Sequence, residues 1–371
     1  MRKNISVINP LVTVGLQLLL AVPLGLAFAK FTTGGIAWIF GGIASGALVL
    51  NAYRIFYKYS LKPNRKARQI GQALVGLAIG CSIANSNLAA VSSKLPVFVL
   101  LTLFILLTGT VIGYIYSQIS GTNILNAMLA TVPGGVGVMS SIAADYNRNV
   151  SLVALVQVIR VTAVILVIPI LARLYASNVA NANSAIYQRW WEIDFSHLHL
   201  VSLALLSAFL GFYIASILKI PAAAFFGPLT IAVIFNYLFL TELEFKLPNL
   251  INLIGQILLG ITIGEHWGNK PNLGKKTVTY ALIPVGMTIV AGLLAAAIAM
   301  LLTPWDWLTC LLVTAPGGST EMILVALGLN HHVEIVTVGH LVRLMAINIS
   351  LPLWVWLFRY LDEKVPNVDN S

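Results

Sequence analysis

The feature that most constrains this chain is the recurrence of apolar runs of about twenty residues, separated by short polar connections. A run of that length spans ~30 Å of hydrocarbon at about 1.5 Å per residue, where only a segment that pairs its own backbone groups is stable. The runs lie near residues 10–30, 34–57, 70–90, 95–117, 121–145 and 149–175, and again near 198–218, 221–240, 249–266, 277–302, 305–328 and 332–359. They predict an all-α polytopic membrane protein with about 10–12 membrane segments. Only 9% of the 371 residues are charged, too few to cover a water-facing surface, since soluble proteins carry roughly 25%. The formal net charge of +10 therefore reads as basic loops at an anionic cytoplasmic leaflet, and the lipid bilayer is the first expected partner. Cys81 and Cys310 lie in or beside apolar runs, which points to packing and not to a disulfide framework.

The two sets of runs are copies of one another. Residues 24–49 match 210–235 weakly, at an offset of 186. Residues 70–80 (IGQALVGLAIG) match 254–264 (IGQILLGITIG) at seven of eleven positions. Residues 131–160 align with 314–343 at an offset of 183, sharing Thr, Pro-Gly-Gly, Met and a terminal Arg. The expected organisation is a first membrane repeat at 1–176, a connecting loop at 177–197, a second repeat at 198–360 and a polar tail at 361–371. Arg2 and Lys3 followed by an apolar run and Ala27-Phe28-Ala29 imitate a cleaved signal peptide. Because the first repeat block runs through those residues, the segment is read as a structural helix.

Charge gives the orientation. Arg54, Lys58, Lys62, Arg65, Lys66 and Arg68 mark their connection as cytoplasmic. Its counterpart holds Glu242, Glu244 and Lys246, and the basic loop of the second half is the next one, with Lys270, Lys275 and Lys276. That displacement predicts inverted repeats, hence an odd number of crossings in each. One of six segments per half must then enter and leave on the same side, or fall short of crossing.

Thr131, Pro133, Gly134 and Gly135 recur as Thr314, Pro316, Gly317 and Gly318. Proline and paired glycine break a helix, and freed backbone groups are tolerated at membrane depth only where they face protein or a water-filled cavity. The alternatives are a binding element and a packing kink. Arg160 and Arg343 occupy equivalent places, with Gln157 and His340 one turn earlier on the same face. They read as buried charge partners or as side chains reaching an interface. Glu321 follows the second break where the first half has Val138; it is either a coupling acid or the structural partner of Arg160 or Arg343. Gln72 and Gln256 are matching amides that either bind solute or bridge helices, beside glycines spaced for close helix contact.

No P-loop, strand-linked GxGxxG, CxxC or HExxH occurs. The six histidines are scattered, and the neighbours His331 and His332 cannot share one face of a helix. No metal, no cofactor and no enzymatic activity are expected.

The two Pro-Gly-Gly elements, the second continuing Ser319-Thr320-Glu321-Met322, precede segments ending in Arg160 and Arg343 and then Pro169 and Pro352. In this the chain resembles the AbrB membrane-protein family over nearly its whole length. The resemblance implies a duplicated membrane protein and is unconnected with the small soluble DNA-binding regulator of the same name. Members have carried the labels ammonia monooxygenase and regulator of gene expression. The leading expectation is a secondary transporter of a small solute in the inner (plasma) membrane, proton- or cation-coupled, with a homo-oligomer among its allowed states. The alternative is a membrane-embedded regulator acting indirectly, because connections of at most about 20 residues are too short for a nucleic-acid module. A monooxygenase ranks last.

Overall fold

The computed structural model describes residues 10–29, 36–57, 63–84, 86, 91–179, 198–239, 247–268, 275–329 and 331–364. Most of the connecting loop, the connection bearing Glu242 and Glu244, and the basic residues Lys58, Lys62 and Lys270 lie outside them. The described residues form helices α1 (Pro10–Ala29), α2 (Ile36–Tyr57), α3 (Arg65–Ile83), α4 (Leu95–Ser120), α5 (Ile124–Thr131), α6 (Val136–Asp145) and α7 (Val150–Val179). They continue as α8 (Leu198–Ile217), α9 (Ala223–Phe239), α10 (Asn249–Gly268), α11 (Lys275–Leu302), α12 (Trp307–Thr314), α13 (Ser319–Gly328) and α14 (Val333–Lys364). Seven of them are long and apolar enough to cross a membrane: α1, α2, α4, α7, α8, α11 and α14. Every regular element among the described residues is a helix, and the chain is a multi-pass membrane protein.

Two compact units divide it, one built from α1–α3 with α8–α10 and the other from α4–α7 with α11–α14. Each unit thus draws helices from both halves of the chain. In the first, α2 packs on α10 and α3 on α9. The glycines of the two IGQ blocks make this possible: a methyl on Gly76 or Gly80 would strike the Phe225 or Leu229 carbonyl, and one on Gly260 or Gly264 those of Ile39 or Ile43. Buried Glu265 at the end of α10 fastens the unit, accepting hydrogen bonds from Gln17 Nε2 of α1 at 3.1 Å and from the backbone N–H of Asn64, the N-cap of α3, at 2.7 Å.

The second unit contains two hairpins. Asn123 caps α5, and after α6 the backbone N–H of Asn149 donates to Asn126 Oδ1 at 3.0 Å. The segment therefore leaves at the level where it entered. Asp306 caps α12, and after α13 the His331 Nε2 stands 2.9 Å from Asp306 Oδ2, so this segment also turns back. Arms of 8 and 10 residues reach about 12–15 Å, half of a bilayer core.

The hairpins enter from opposite ends of the unit. The first base is tied to the far end of α14, where Asp362 Oδ2 accepts from Arg148 Nη2 at 2.6 Å and from Asn123 Nδ2 at 2.7 Å. The second base adjoins the start of the same helix, since His331 and His332 immediately precede Val333. Val333 and Asp362 are about 45 Å apart along a helix rising about 1.5 Å per residue. Stacking of Phe98, near the start of α4, on Trp305 at the second base (5.2 Å between centroids) agrees, because α4 ends at the first base.

Candidate functional site

Both Thr-x-Pro-Gly-Gly elements form hairpin tips, and the second repeats the bonds of the first 183 residues on. Thr131 Oγ1 donates to the Gly109 carbonyl of α4 at 3.0 Å, and Thr314 Oγ1 to the Gly292 carbonyl of α11 at 3.1 Å. The backbone N–H of Gly134 donates to the Val132 carbonyl and that of Gly317 to the Ala315 carbonyl, each at 2.9 Å. Pro133 and Pro316 lie over Gly109 and Gly292, where added methyls would meet the proline Cδ atoms at 3.6 and 2.7 Å. The turns need glycine where φ is positive: Gly135 at 85°, Gly317 at 137° and Gly318 at 64°. Helices α6 and α13 then begin with glycine N-caps that offer no side chain, so their first N–H groups and positive dipole ends lie at the tips.

Behind each tip a buried arginine satisfies the exposed backbone. Arg160 of α7 is 2% exposed and donates through Nη1 to the Thr131 carbonyl and through Nη2 to Gln157 Oε1, both at 2.6 Å. Gln157 Nε2 in turn donates to the Leu129 and Val132 carbonyls at 2.8 and 3.0 Å. Arg343 of α14 donates through Nη1 to the Ala315 carbonyl at 2.6 Å and through Nη2 to His340 Nδ1 at 2.5 Å and Ser319 Oγ at 3.3 Å. The remaining imidazole nitrogen, Nε2, is 2.9 Å from the Leu312 carbonyl. A carbonyl only accepts and a guanidinium only donates, which fixes His340 as the neutral tautomer with its proton on Nε2. Gln157 and His340 are thus chemical equivalents here, each donating to a carbonyl and accepting from an arginine.

The two tips meet. A Cβ on Gly317 would stand 3.5 Å from Arg160 Nε, a buried atom with no hydrogen-bond partner, and the guanidinium groups of Arg160 and Arg343 are close enough to act on one another electrostatically. A cavity of about 10 Å³, room for roughly one water, lies among Gly109, Thr131, Pro133, Thr288, Gly292 and Pro316. Glu321 is half-buried in the first turn of α13, its Oε2 3.3 Å from the Cβ position of Gly318; Val138 at the matching place in α6 is 44% exposed. The structure therefore gathers Thr131, Pro133, Gly134, Gly135, Gln157 and Arg160 with Thr314, Pro316, Gly317, Gly318, Glu321, His340 and Arg343 in one unit. Gln72 and Gln256 belong to α3 and α10 of the other unit, where Gln256 is buried with its Oε1 unpartnered.

Three residues that sequence reasoning missed hold the framework: Glu265, Asp362 and Asp306. Each is an acid at the edge of an apolar segment, a signal present in the sequence but shared by many exposed acids.

A family profile described as "Transition state regulatory protein AbrB" matches residues 38–359. A protein of Bacillus subtilis (strain 168) named "Uncharacterized protein YhjN" is 27% identical over 370 residues, 95% of this chain and 95% of that one. A protein of Escherichia coli (strain K12) named "Putative regulator AbrB" is 24% identical over 317 residues, 83% of this chain and 86% of that one.

Proposed function

This chain belongs to the AbrB family of membrane proteins, and on that premise we propose that it is a secondary transporter, not an enzyme, moving a small solute across the inner (plasma) membrane. The observation that carries this reading is the meeting of two hairpin tips that enter from opposite ends of one unit, with Arg160 Nε beside Gly317. Broken helices meeting at mid-depth put N–H groups, carbonyls and helix ends around a ligand, as inverted-repeat transporters do. If α3, α9 and α10 cross together with the seven long apolar helices, each half makes five crossings, the odd number that inversion requires. In that arrangement Arg54, Arg65, Lys66, Arg68, Arg148, Lys276 and Arg359 all fall on the cytoplasmic side, in accord with the positive-inside rule.

Each element has a part in the cycle. The cavity between the tips has room for about one water, and in this reading a solute gains access from either side when one tip withdraws. The arginines keep the unwound backbone satisfied without making a continuous helix. Glu321, the one acid of the paired motifs, carries the coupling proton or cation. The test is uptake and efflux in proteoliposomes with and without a pH gradient. Glu321→Gln abolishes gradient-driven accumulation but leaves solute exchange, which moves no net proton; accumulation equal to wild type contradicts this role.

The name of the Escherichia coli relative favours a second reading, an effect on gene expression. Connections of at most about 20 residues leave little room for a nucleic-acid module, so such an effect runs through the level of the transported solute.

A further inference from the structure

We infer that Asp306, His331 and His332 form a site for one divalent transition-metal ion of the zinc class at the base of the second hairpin. A carboxylate oxygen of Asp306 and one ring nitrogen from each histidine lie within 4.8 Å of one another. Ligand atoms on a tetrahedral zinc, bonded at about 2.0–2.1 Å, stand about 3.3 Å apart. The cluster is thus within side-chain adjustment of a coordinating geometry, and His331 Nε2 is already 2.9 Å from Asp306 Oδ2.

Adjacent histidines on a helix diverge, but these two precede α14 and His332 has a left-handed backbone (φ 40°). That turn brings the imidazoles to 4.8 Å between centroids at 72°, on the side of Asp306. The carboxylate is itself held in place, accepting from the Leu308 N–H at 3.2 Å and from the Thr309 hydroxyl at 2.5 Å, the outer support that a metal ligand needs. Glu334 Oε1 is 3.5 Å from His332 Nδ1 and supports that imidazole from outside the cluster, leaving the fourth position to water. The His332 side chain is 52% exposed, so an ion can reach the cluster. Two imidazoles with one carboxylate suit zinc, nickel or copper(II) and not magnesium or calcium, which require about six oxygen ligands.

In the metal-free protein the His331–Asp306 contact is a hydrogen bond closing the hairpin base. A bound ion takes the place of that bond and ties the first residue of the hairpin to the start of α14 more firmly.

The test uses full-length protein in detergent, purified without a polyhistidine tag and treated with a chelator, then titrated separately with zinc chloride and magnesium chloride. Metal retained after gel filtration is measured together with the thermal unfolding midpoint. Wild type retains about one zinc per chain and no magnesium, and its midpoint rises with zinc. His331→Gln and His332→Gln weaken zinc retention about tenfold or more and abolish the rise. Because the His332 side chain is half exposed, the second variant keeps its fold if the first does not. Failure of wild type to retain zinc, or zinc retention unchanged in His332→Gln, overturns the site. The readout is metal content, so its outcome is separate from that of the transport assay.

Discussion

The two hairpin tips meet the same backbone demand with different side chains. In the first, a glutamine links the buried arginine to the carbonyls of the broken helix; in the second, a neutral histidine does so over the same span, from Leu312 to Arg343 as from Leu129 to Arg160. The substitution is possible because both side chains place a donor and an acceptor about one ring width apart. Where the tips truly diverge is at Val138 and Glu321. One tip offers only an uncapped helix end, whereas the other has a carboxylate folded over Gly318. Structural residues are thus held in equivalent roles while the carboxylate occurs at one tip alone.

The comparison is most severely tested at the arginines. Arg160→Lys and Arg343→Lys keep the charge but lose the fork that spans two acceptors, so each leaves a buried carbonyl or its relay unbonded. A loss of about 2–4 kcal/mol is expected at both, read as folded yield and unfolding midpoint in detergent. A large effect at one tip and none at the other breaks the equivalence.

Exchanging the relays sharpens it. His340→Ala strands the Leu312 carbonyl and one arginine donor, for about 2 kcal/mol. His340→Gln preserves both bonds, and Gln157→His keeps those to Leu129 and Arg160 while giving up the one to Val132, whose carbonyl still accepts from the Gly134 N–H; each costs under about 1 kcal/mol. Swapped proteins as unstable as the alanine variant contradict the reading of these residues as equivalents.

The smallest effect separates the bases. The first helix of one hairpin is capped by neutral Asn123, that of the other by Asp306. Burial pushes the Asp306 carboxyl up, but hydrogen bonds from Thr309 and His331, with the charge of His331, outweigh it and hold the group below the usual carboxylate range. A depressed carboxylate contributes stability above its unfolded value, about 3.9, and loses it as pH falls through the folded value. Hydrogen exchange at the Leu308 amide therefore accelerates in acid relative to that at Leu125. Parallel pH profiles at the two amides remove the distinction.

Much of the site was legible because it is duplicated. Two Pro-Gly-Gly breaks and two arginines with polar neighbours three residues before them identify the residues that the structure gathers. Charge displacement called for one returning or short segment in each half but left open which one. The segments near 121–145 and 305–328 have the length of a crossing, and only the contacts Asn126 to Asn149 and Asp306 to His331, 23 and 25 residues apart, show that they turn back. The same blindness hid the meeting of Asp306, His331 and His332: a helical reading separates the two histidines, and the left-handed backbone at His332 that unites them has no glycine or proline to announce it.

The central claim, that two hairpins enter from opposite faces, is tested most directly by accessibility labelling. With Cys81 and Cys310 replaced by alanine, single cysteines at Thr122 and Tyr146 flank the first hairpin, and others at Pro304 and His332 flank the second. A membrane-impermeant thiol reagent applied to intact cells and to inverted vesicles is expected to label Thr122→Cys and Tyr146→Cys from the cytoplasmic side only, and Pro304→Cys and His332→Cys from the other side only. Labelling of the two flanks of one hairpin from opposite sides, or of all four positions from the same side, contradicts the account.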